Sequence, residues 1–329
     1  VRTIVEPLQP HQRAVWGHQT VELRHRLPEL DLFADDYLAK MIESAAPRSL
    51  AIHAEGGRDP STWPSVCRGS ASGAQVLEAI RTGTLWLNLV GINDWDARFG
   101  ELADQLFAEL AAQVPGLNVV KRKLGVLISS PKATVHYHTD IPGQAIWQVR
   151  GRKRFIIYPN TEPFLRHHDL ERAVRSASYG VARFEPWFDE HGVAYDLEPG
   201  RGLHWPLNGP HRIENADELS VSLTTEHWTP QIRRSYAMHY GNGLLRRYGW
   251  RPRSRSTEGP AFWAKVALTA AYRKGGLQNR NGYQRVATMA VDPSAPSGAR
   301  ALPREQWAAP GQDSARSGPR LDTVDSIRR

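Results

Sequence analysis

Across residues 123–225 the chain keeps returning to short runs of β-type residues, and this rhythm restricts the possible folds more than any other feature. Runs at 123–129, 134–138, 145–149 and 154–158 are separated by Ser-Ser-Pro, Ile-Pro-Gly and Arg-Gly-Arg-Lys turns. Runs at 193–197, 203–205, 211–214 and 219–225 continue the series. Strands this short, spaced by Gly/Pro turns, predict a sandwich or barrel, because none can bury a face alone. One stretch breaks the rhythm. Residues 160–190 are polar and rich in His, Arg and Glu, too long for a hairpin turn, and suit a lid or substrate loop.

Helical periodicity flanks this region. Leu38, Met41 and Ile42 recur at helical spacing after Asp35. A second short helix is expected over 72–81, followed by a strand-like run at 84–89. After Asp94, Phe99, Leu102, Ala103, Leu106, Phe107 and Leu110 fall on one face of a helix that Pro115-Gly116 ends. Helices are expected again at 231–245 and 260–272. From Gly275 the Gly, Asn, Arg, Pro and Ser content predicts a flexible tail, most clearly at 293–298. The expected organisation is a mostly helical part at 1–120 packed on a β core at 121–229, then C-terminal helices at 230–274 and a flexible tail at 275–329.

Composition excludes several classes. The single cysteine, Cys67, rules out an internal disulfide and a cysteine-based zinc cluster. No apolar run approaches a membrane-spanning helix. With no basic-then-apolar leader, a cytoplasmic location is expected. The net charge of +8 suggests a nucleic-acid partner until it is divided. Residues 1–229 carry a net −4, residues 230–290 a net +11 and the remainder +1. Basicity belongs to one segment, for which a solvated face or a contact with the more acidic body is favoured over contact with phosphate or a membrane surface.

Chemistry concentrates in Val135-His136-Tyr137-His138-Thr139-Asp140. Residues two apart on a strand share a face, so His138 and Asp140 can reach one metal together, with His136 beside them. His211 arrives later, just past the Gly-Pro turn of Trp205-Pro-Leu-Asn-Gly-Pro-His211. Two histidines and one carboxylate leave coordination positions open, the arrangement that non-haem Fe(II) oxygenases use. By themselves such pairs are common among thirteen scattered histidines. His167-His168-Asp169 has a similar composition but lies in the polar insertion and suits a solvated surface.

The longer pattern is more specific. His138-Thr-Asp140, Gln144, the strand Ile146-Trp147-Gln148-Val149, the turn Arg150-Gly-Arg-Lys153-Arg154 and the run Phe155-Ile-Ile-Tyr-Pro159 closely resemble the JmjC-type and cupin-like Fe(II)/2-oxoglutarate-dependent oxygenases. Pro199-Gly200, Pro206, His211, Asn215 and the closing strand Ser220–Thr224 with Trp228 extend the resemblance across about 120–230. It implies a mainly β fold, a double-stranded β-helix or jelly-roll barrel with flanking helices. It also implies metal ligands His138, Asp140 and His211, with Fe(II), 2-oxoglutarate and dioxygen as cofactor and cosubstrates. Lys153 falls where the family's basic residue pairs with the distal carboxylate of 2-oxoglutarate, a role that suits a cation. Tyr137 or Thr224 would donate a hydroxyl to that carboxylate, whereas Arg154 would point to the opposite face. Gln144, Trp147, Trp205 and Asn88 are candidates for the substrate pocket, each weighed against plain packing.

Three positions depart from the pattern. Arg201 follows Pro199-Gly200, Pro210 precedes the metal histidine, and His136 opens an all-histidine register of His136, His138 and His211. The expected activity is hydroxylation of a polar amino-acid-like, peptidic or protein substrate, with release of succinate and carbon dioxide. The alternatives are a 2-oxoglutarate-independent metal cupin enzyme and a non-catalytic cupin-like binding protein. The partners expected are that substrate and, through the C-terminal helices, a second copy of the chain; nucleic acid and membrane are not expected.

Overall fold

The computed structural model describes residues 2–56, 63–176, 182–277 and 286–307. Its strands are β1 (Val21–Arg24), β2 (Leu50–Ala54), β3 (Ser65–Cys67), β4 (Leu85–Val90), β5 (Lys121–Ser129), β6 (Thr134–His138) and β7 (Gly143–Arg150). They continue with β8 (Lys153–Ile157), β9 (Val193–Leu197), β10 (Arg201–His204), β11 (His211–Asn215), β12 (Ser220–Trp228), β13 (Ala287–Val291) and β14 (Ala299–Ala301). The α-helices are α1 (Pro10–Ala14), α2 (Asp35–Ser44), α3 (Gly73–Thr82), α4 (Ala97–Gln113), α5 (His167–Ser176), α6 (Pro230–Arg247) and α7 (Gly259–Lys274).

Ten strands form one sheet in the order β1-β10-β7-β12-β5-β4-β2-β3-β13-β14, and four form a second in the order β6-β11-β8-β9. This corrects the expected closed jelly-roll barrel. Among the described residues no strand pairs from one sheet to the other, both sheets are open, and helical residues outnumber strand residues, so the fold is mixed α/β. Six strands from outside the expected β core join the large sheet, five beyond β5 and β1 at the β10 edge, and leave nothing to close against. The mostly helical part expected at 1–120 supplies four of them, β1 to β4.

Each face of the large sheet has its own task. One face buries Leu87, Leu89, Leu124, Val126, Trp147, Val149, Val221 and Leu223 against Phe99, Leu102, Leu106 and Leu110 of α4. Asp96 starts that helix by accepting the Phe99 N–H at 3.0 Å. The other face turns toward the small sheet, where Ile146 and Leu203 join Phe155, Ile157, Leu197, Trp205 and Ile213 in a separate cluster. Gly151 (φ +70°) makes the β7–β8 turn: a Cβ there would lie 2.5 Å from the Leu219 carbonyl oxygen, so the turn demands glycine.

The outer face of the small sheet is covered by α5 and α6. Tyr137, Tyr158 and Phe164 pack there with Tyr236, Tyr240 and Leu244. Within the 160–190 insertion, residues 167–176 form α5, and its buried Glu171 pairs with Arg246 of α6 at 2.6 Å; residues 177–181 lie outside the described residues. The flexible tail expected from Gly275 is also revised. β13 pairs in parallel with β3, and 293–298 forms a tight turn in which Gly298 N–H donates to the Ala295 carbonyl at 2.8 Å and Thr84 N–H to the Ser297 carbonyl at 3.0 Å. Cys67 is in β3. The tail positions 278–285 and 308–329 lie outside the described residues.

Candidate metal centre

Strand pairing assembles the site. β6 ends at His138 and β11 begins at His211, and the two are direct antiparallel partners. Their rings lie 4.2 Å apart between centroids. Asp140 stands two residues beyond the end of β6, yet its Oδ2 reaches within 3.6 Å of His211 Nε2. One donor atom from each of His138, Asp140 and His211 lies within 4.8 Å of the others, and among the described residues these three are the group that could hold a metal ion. His136 is outside it, edge-on to Trp63 at 6.2 Å.

Both imidazoles are aimed in the same way. His138 Nδ1 lies 2.8 Å from the His136 carbonyl, and His211 Nδ1 lies 3.0 Å from the Gly209 carbonyl. A proton on each Nδ1 satisfies those carbonyls and leaves Nε2 with its lone pair facing the common point, as a metal ligand requires. Burial lowers the His211 pKa well below the usual imidazole value and keeps the ring neutral. Burial also raises the Asp140 carboxyl, an effect that His138 opposes. A divalent cation between them would favour the ionised carboxylate and the neutral rings together. The donor set therefore fits a metal with open positions.

A second clasp fixes the loops. Asn208, in the left-handed region at φ +60°, donates to the Asp140 carbonyl at 2.6 Å and to the Ile141 carbonyl at 3.2 Å. Thr139 donates back to the Asn208 carbonyl at 2.5 Å. Phe155 stacks on His211 at 4.9 Å with 15° between planes, and Trp205 lies tilted beside both rings, 4.9 Å from His211 and 5.0 Å from Phe155.

Alternation along β8 sends Lys153 to the same side as Phe155 and leaves Arg154 exposed. Lys153 is 4 % exposed, with no ion pair to a carboxylate among the described residues, and burial lowers its pKa from 10.5 to about 7. Across the cleft, Thr224 Oγ1 and Asn88 Oδ1 both crowd Gly125, the strand position where a Cβ would lie 2.8 Å and 3.0 Å from them. Thr224 donates to the Gly125 carbonyl at 3.2 Å, whereas among the described residues the buried Asn88 Oδ1 has no hydrogen-bond partner. Gln144 is buried on the cleft side of β7, two residues from Ile146.

Two expected residues face elsewhere. Tyr137 points to the outer side of β6 and donates its hydroxyl to the Phe164 carbonyl at 2.7 Å, because adjacent strand residues take opposite faces. Trp147 lies in the core under α4, its Nε1–H donating to Thr225 Oγ1 at 3.1 Å. Sequence reasoning missed Glu226, half-buried opposite Gln144 in the β7–β12 register, whose carboxyl burial raises and Lys123 lowers. The signal was present: Ser220, Ser222, Thr224 and Glu226 recur every second residue on one face of the strand. Asn208 and Phe155 were also missed as site residues.

No family model matches the sequence, and no curated protein matches it. Solved structures do. The chain is similar to the X-ray structure of E. coli YcfD, at 16% identity over 86% of this chain and 71% of that chain, with a TM-score of 0.49. It is similar to YcfD, a ribosomal oxygenase from Escherichia coli, in complex with cobalt and 2-oxoglutarate, at 18% identity over 84% and 69% of the two chains and a TM-score of 0.47. A partial match, over 33% of this chain and 40% of that chain, is to a structure from work on the DMSP lyases RdDddP and RnDddQII, with a TM-score of 0.22.

Proposed function

We propose that this chain is a non-haem Fe(II)/2-oxoglutarate-dependent oxygenase that hydroxylates a C–H bond of a polar substrate with an amino-acid-like or peptidic part. The observation that carries the reading is a His138/Asp140/His211 group in the same cleft as a buried cation, Lys153, that has no carboxylate partner. A scaffold has no use for such a cation, since an unpaired buried charge is costly. A dicarboxylate held by the metal at its keto-acid end needs one.

Iron, 2-oxoglutarate and dioxygen together would supply the oxidant that turns C–H into C–OH, the keto acid leaving as succinate and carbon dioxide. The chain's own residues would do the positioning. His138 and His211 present neutral Nε2 atoms, and Asp140 supplies the anion. Lys153 would take the distal carboxylate, and the unpartnered Asn88 Oδ1 beside Thr224 marks a further polar contact in the cleft. Phe155 and Trp205 would shield the centre from water, and Gln144 and Trp205 would face substrate. The proposal extends to a homodimer through α6 and α7, since Trp263 and Leu268 of α7 are exposed; sedimentation velocity reads it.

The test is succinate. Anaerobically loaded Fe(II) protein given 2-oxoglutarate and dioxygen is expected to form succinate, slowly without substrate and faster with it. Absence of succinate from fully iron-loaded protein with every candidate substrate rejects the reading and favours a metal enzyme that oxidises its own ligand without 2-oxoglutarate.

A further inference from the structure

The connection from α6 to α7 sets two aromatic rings among five arginines within residues 246–255, Arg-Arg-Tyr-Gly-Trp-Arg-Pro-Arg-Ser-Arg. Tyr248 and Trp250 are 63% and 69% exposed. Their backbone is nevertheless pinned. Gly249 (φ +87°) lets the helix end fold back, so that Gly249 N–H donates to the Arg246 carbonyl at 3.0 Å and Trp250 N–H to the Leu245 carbonyl at 3.0 Å. Farther on, the Ser254 carbonyl accepts from Lys265 Nζ at 2.5 Å and from Asn242 Nδ2 at 3.3 Å. The segment is anchored at both ends while its rings and guanidinium groups project outward.

Charge at this surface is unbalanced. Arg247, Arg251, Arg253 and Arg255 make no ion pair with a carboxylate among the described residues, and Glu258 is the one acidic residue in 230–290. Elsewhere the protein pairs its arginines readily, as Arg212 does with Asp189 and Arg81 with Asp35. Arg247 donates to the Tyr272 hydroxyl at 3.1 Å, and a surface that leaves Arg251, Arg253 and Arg255 exposed without a carboxylate around two exposed rings is complementary to a polyanion with flat faces. Anionic lipid fits it less well. Residues 246–258 contain no aliphatic residue larger than proline, and those after Gly249 that precede α7 are not helical, so no amphipathic helix is present to insert.

We propose that residues 247–255 form a binding surface for single-stranded nucleic acid, with Tyr248 and Trp250 stacking on bases and Arg251, Arg253 and Arg255 contacting phosphates. Base–aromatic stacking beside free guanidinium groups is how sequence-tolerant single-strand binding is built. The surface is carried by the helices behind the small sheet, so it is independent of the metal reading.

The test is fluorescence anisotropy of a labelled mixed-sequence 20-nucleotide single-stranded RNA with the full chain, with single-stranded DNA and phosphatidylserine vesicles run in parallel. Micromolar RNA or DNA binding is expected, with quenching of tryptophan emission; the RNA and DNA arms tell which strand is preferred. Tyr248→Ala with Trp250→Ala is expected to weaken binding about tenfold or more. Changing Arg251, Arg253 and Arg255 to Gln should reduce the slope of log K against log salt by about 2, at roughly 0.7 per phosphate contact on a single strand. These side chains are exposed, and unchanged circular dichroism and melting would show that the variants fold. No binding to either strand, or vesicle binding without nucleic-acid binding, overturns the proposal. So does nucleic-acid binding that the arginine changes abolish but the aromatic changes leave intact, because that is charge attraction without stacking.

Discussion

The cleft between the two sheets and the helical block behind the small sheet treat buried charge in opposite ways. In the block every buried carboxylate has a cation: Glu171 takes Arg246 at 2.6 Å, and Asp169 takes Arg166 at 2.7 Å and Arg172 at 2.9 Å. In the cleft Lys153 is as deeply buried as Asp169 and faces no carboxylate, while Asp140 lies beside histidines that are neutral when they serve as ligands. The block uses its ion pairs to hold helices together. The cleft leaves its charges for something that arrives later, and folding alone gives no reason to bury them.

The sharpest way to break this contrast is to remove a metal ligand. His138→Ala or His211→Ala is expected to abolish tight iron binding and turnover; full iron content in both variants by metal analysis would refute the triad. His136→Ala should keep most of the metal.

Lys153 comes next. Lys153→Ala should retain iron but weaken 2-oxoglutarate binding by about 2–5 kcal/mol, roughly 30-fold to over 1000-fold, in an anaerobic titration. The same residue gives a stability signature without metal. Because its pKa falls from 10.5 to about 7 on folding, the folded chain holds fewer protons than the unfolded chain between those values. Lys153 therefore contributes stability that grows as pH rises from about 7 toward 10. Lys153→Met should remove that pH-dependent gain and melt higher than wild type at pH 7; an unchanged profile would mean that the ammonium is paired after all.

On the other side of the contrast, Arg246→Ala leaves Glu171 buried without its cation. A loss of about 2–3 kcal/mol is expected, below the full penalty for a buried pair because Arg246 is itself partly exposed, with iron binding unchanged. Denaturant melts check it. The smallest effect belongs to Tyr137→Phe. Losing the bond to the Phe164 carbonyl should cost about 1 kcal/mol and leave 2-oxoglutarate affinity untouched; a weakened cosubstrate would bring Tyr137 back into the cleft.

Alternation made β5 to β12 legible in the sequence and put His138 and Asp140 on one face, whereas His211 was added to them through the family resemblance. The same rule, followed strictly, also separates Tyr137 from His138 and Trp147 from Ile146, which places Tyr137 under Phe164 and gives Trp147 to packing, the alternative already weighed for it. Closure of the barrel was not legible. Periodicity tells which side chains share a face and says nothing of what lies beyond an edge strand. β3 is Ser-Val-Cys in a polar stretch, and β13 follows a Gly- and Asn-rich one; each is a strand because the other lies beside it. The partnerless state of Lys153 was equally hidden, since a sequence records a lysine but not the carboxylates that fail to reach it.

The bonds that Asn208 gives to the Asp140 and Ile141 carbonyls and accepts from Thr139 join the loop that carries Asp140 to the loop that leads into His211. Three coordinating side chains are thereby brought to one place by contacts that contain no metal. Loading such a centre orders little additional chain, so the entropy of gathering the ligands is lost during folding and not again at each encounter with an ion. A protein arranged this way should lose and regain its metal as a folded body, with chelators emptying the site while leaving the two sheets intact.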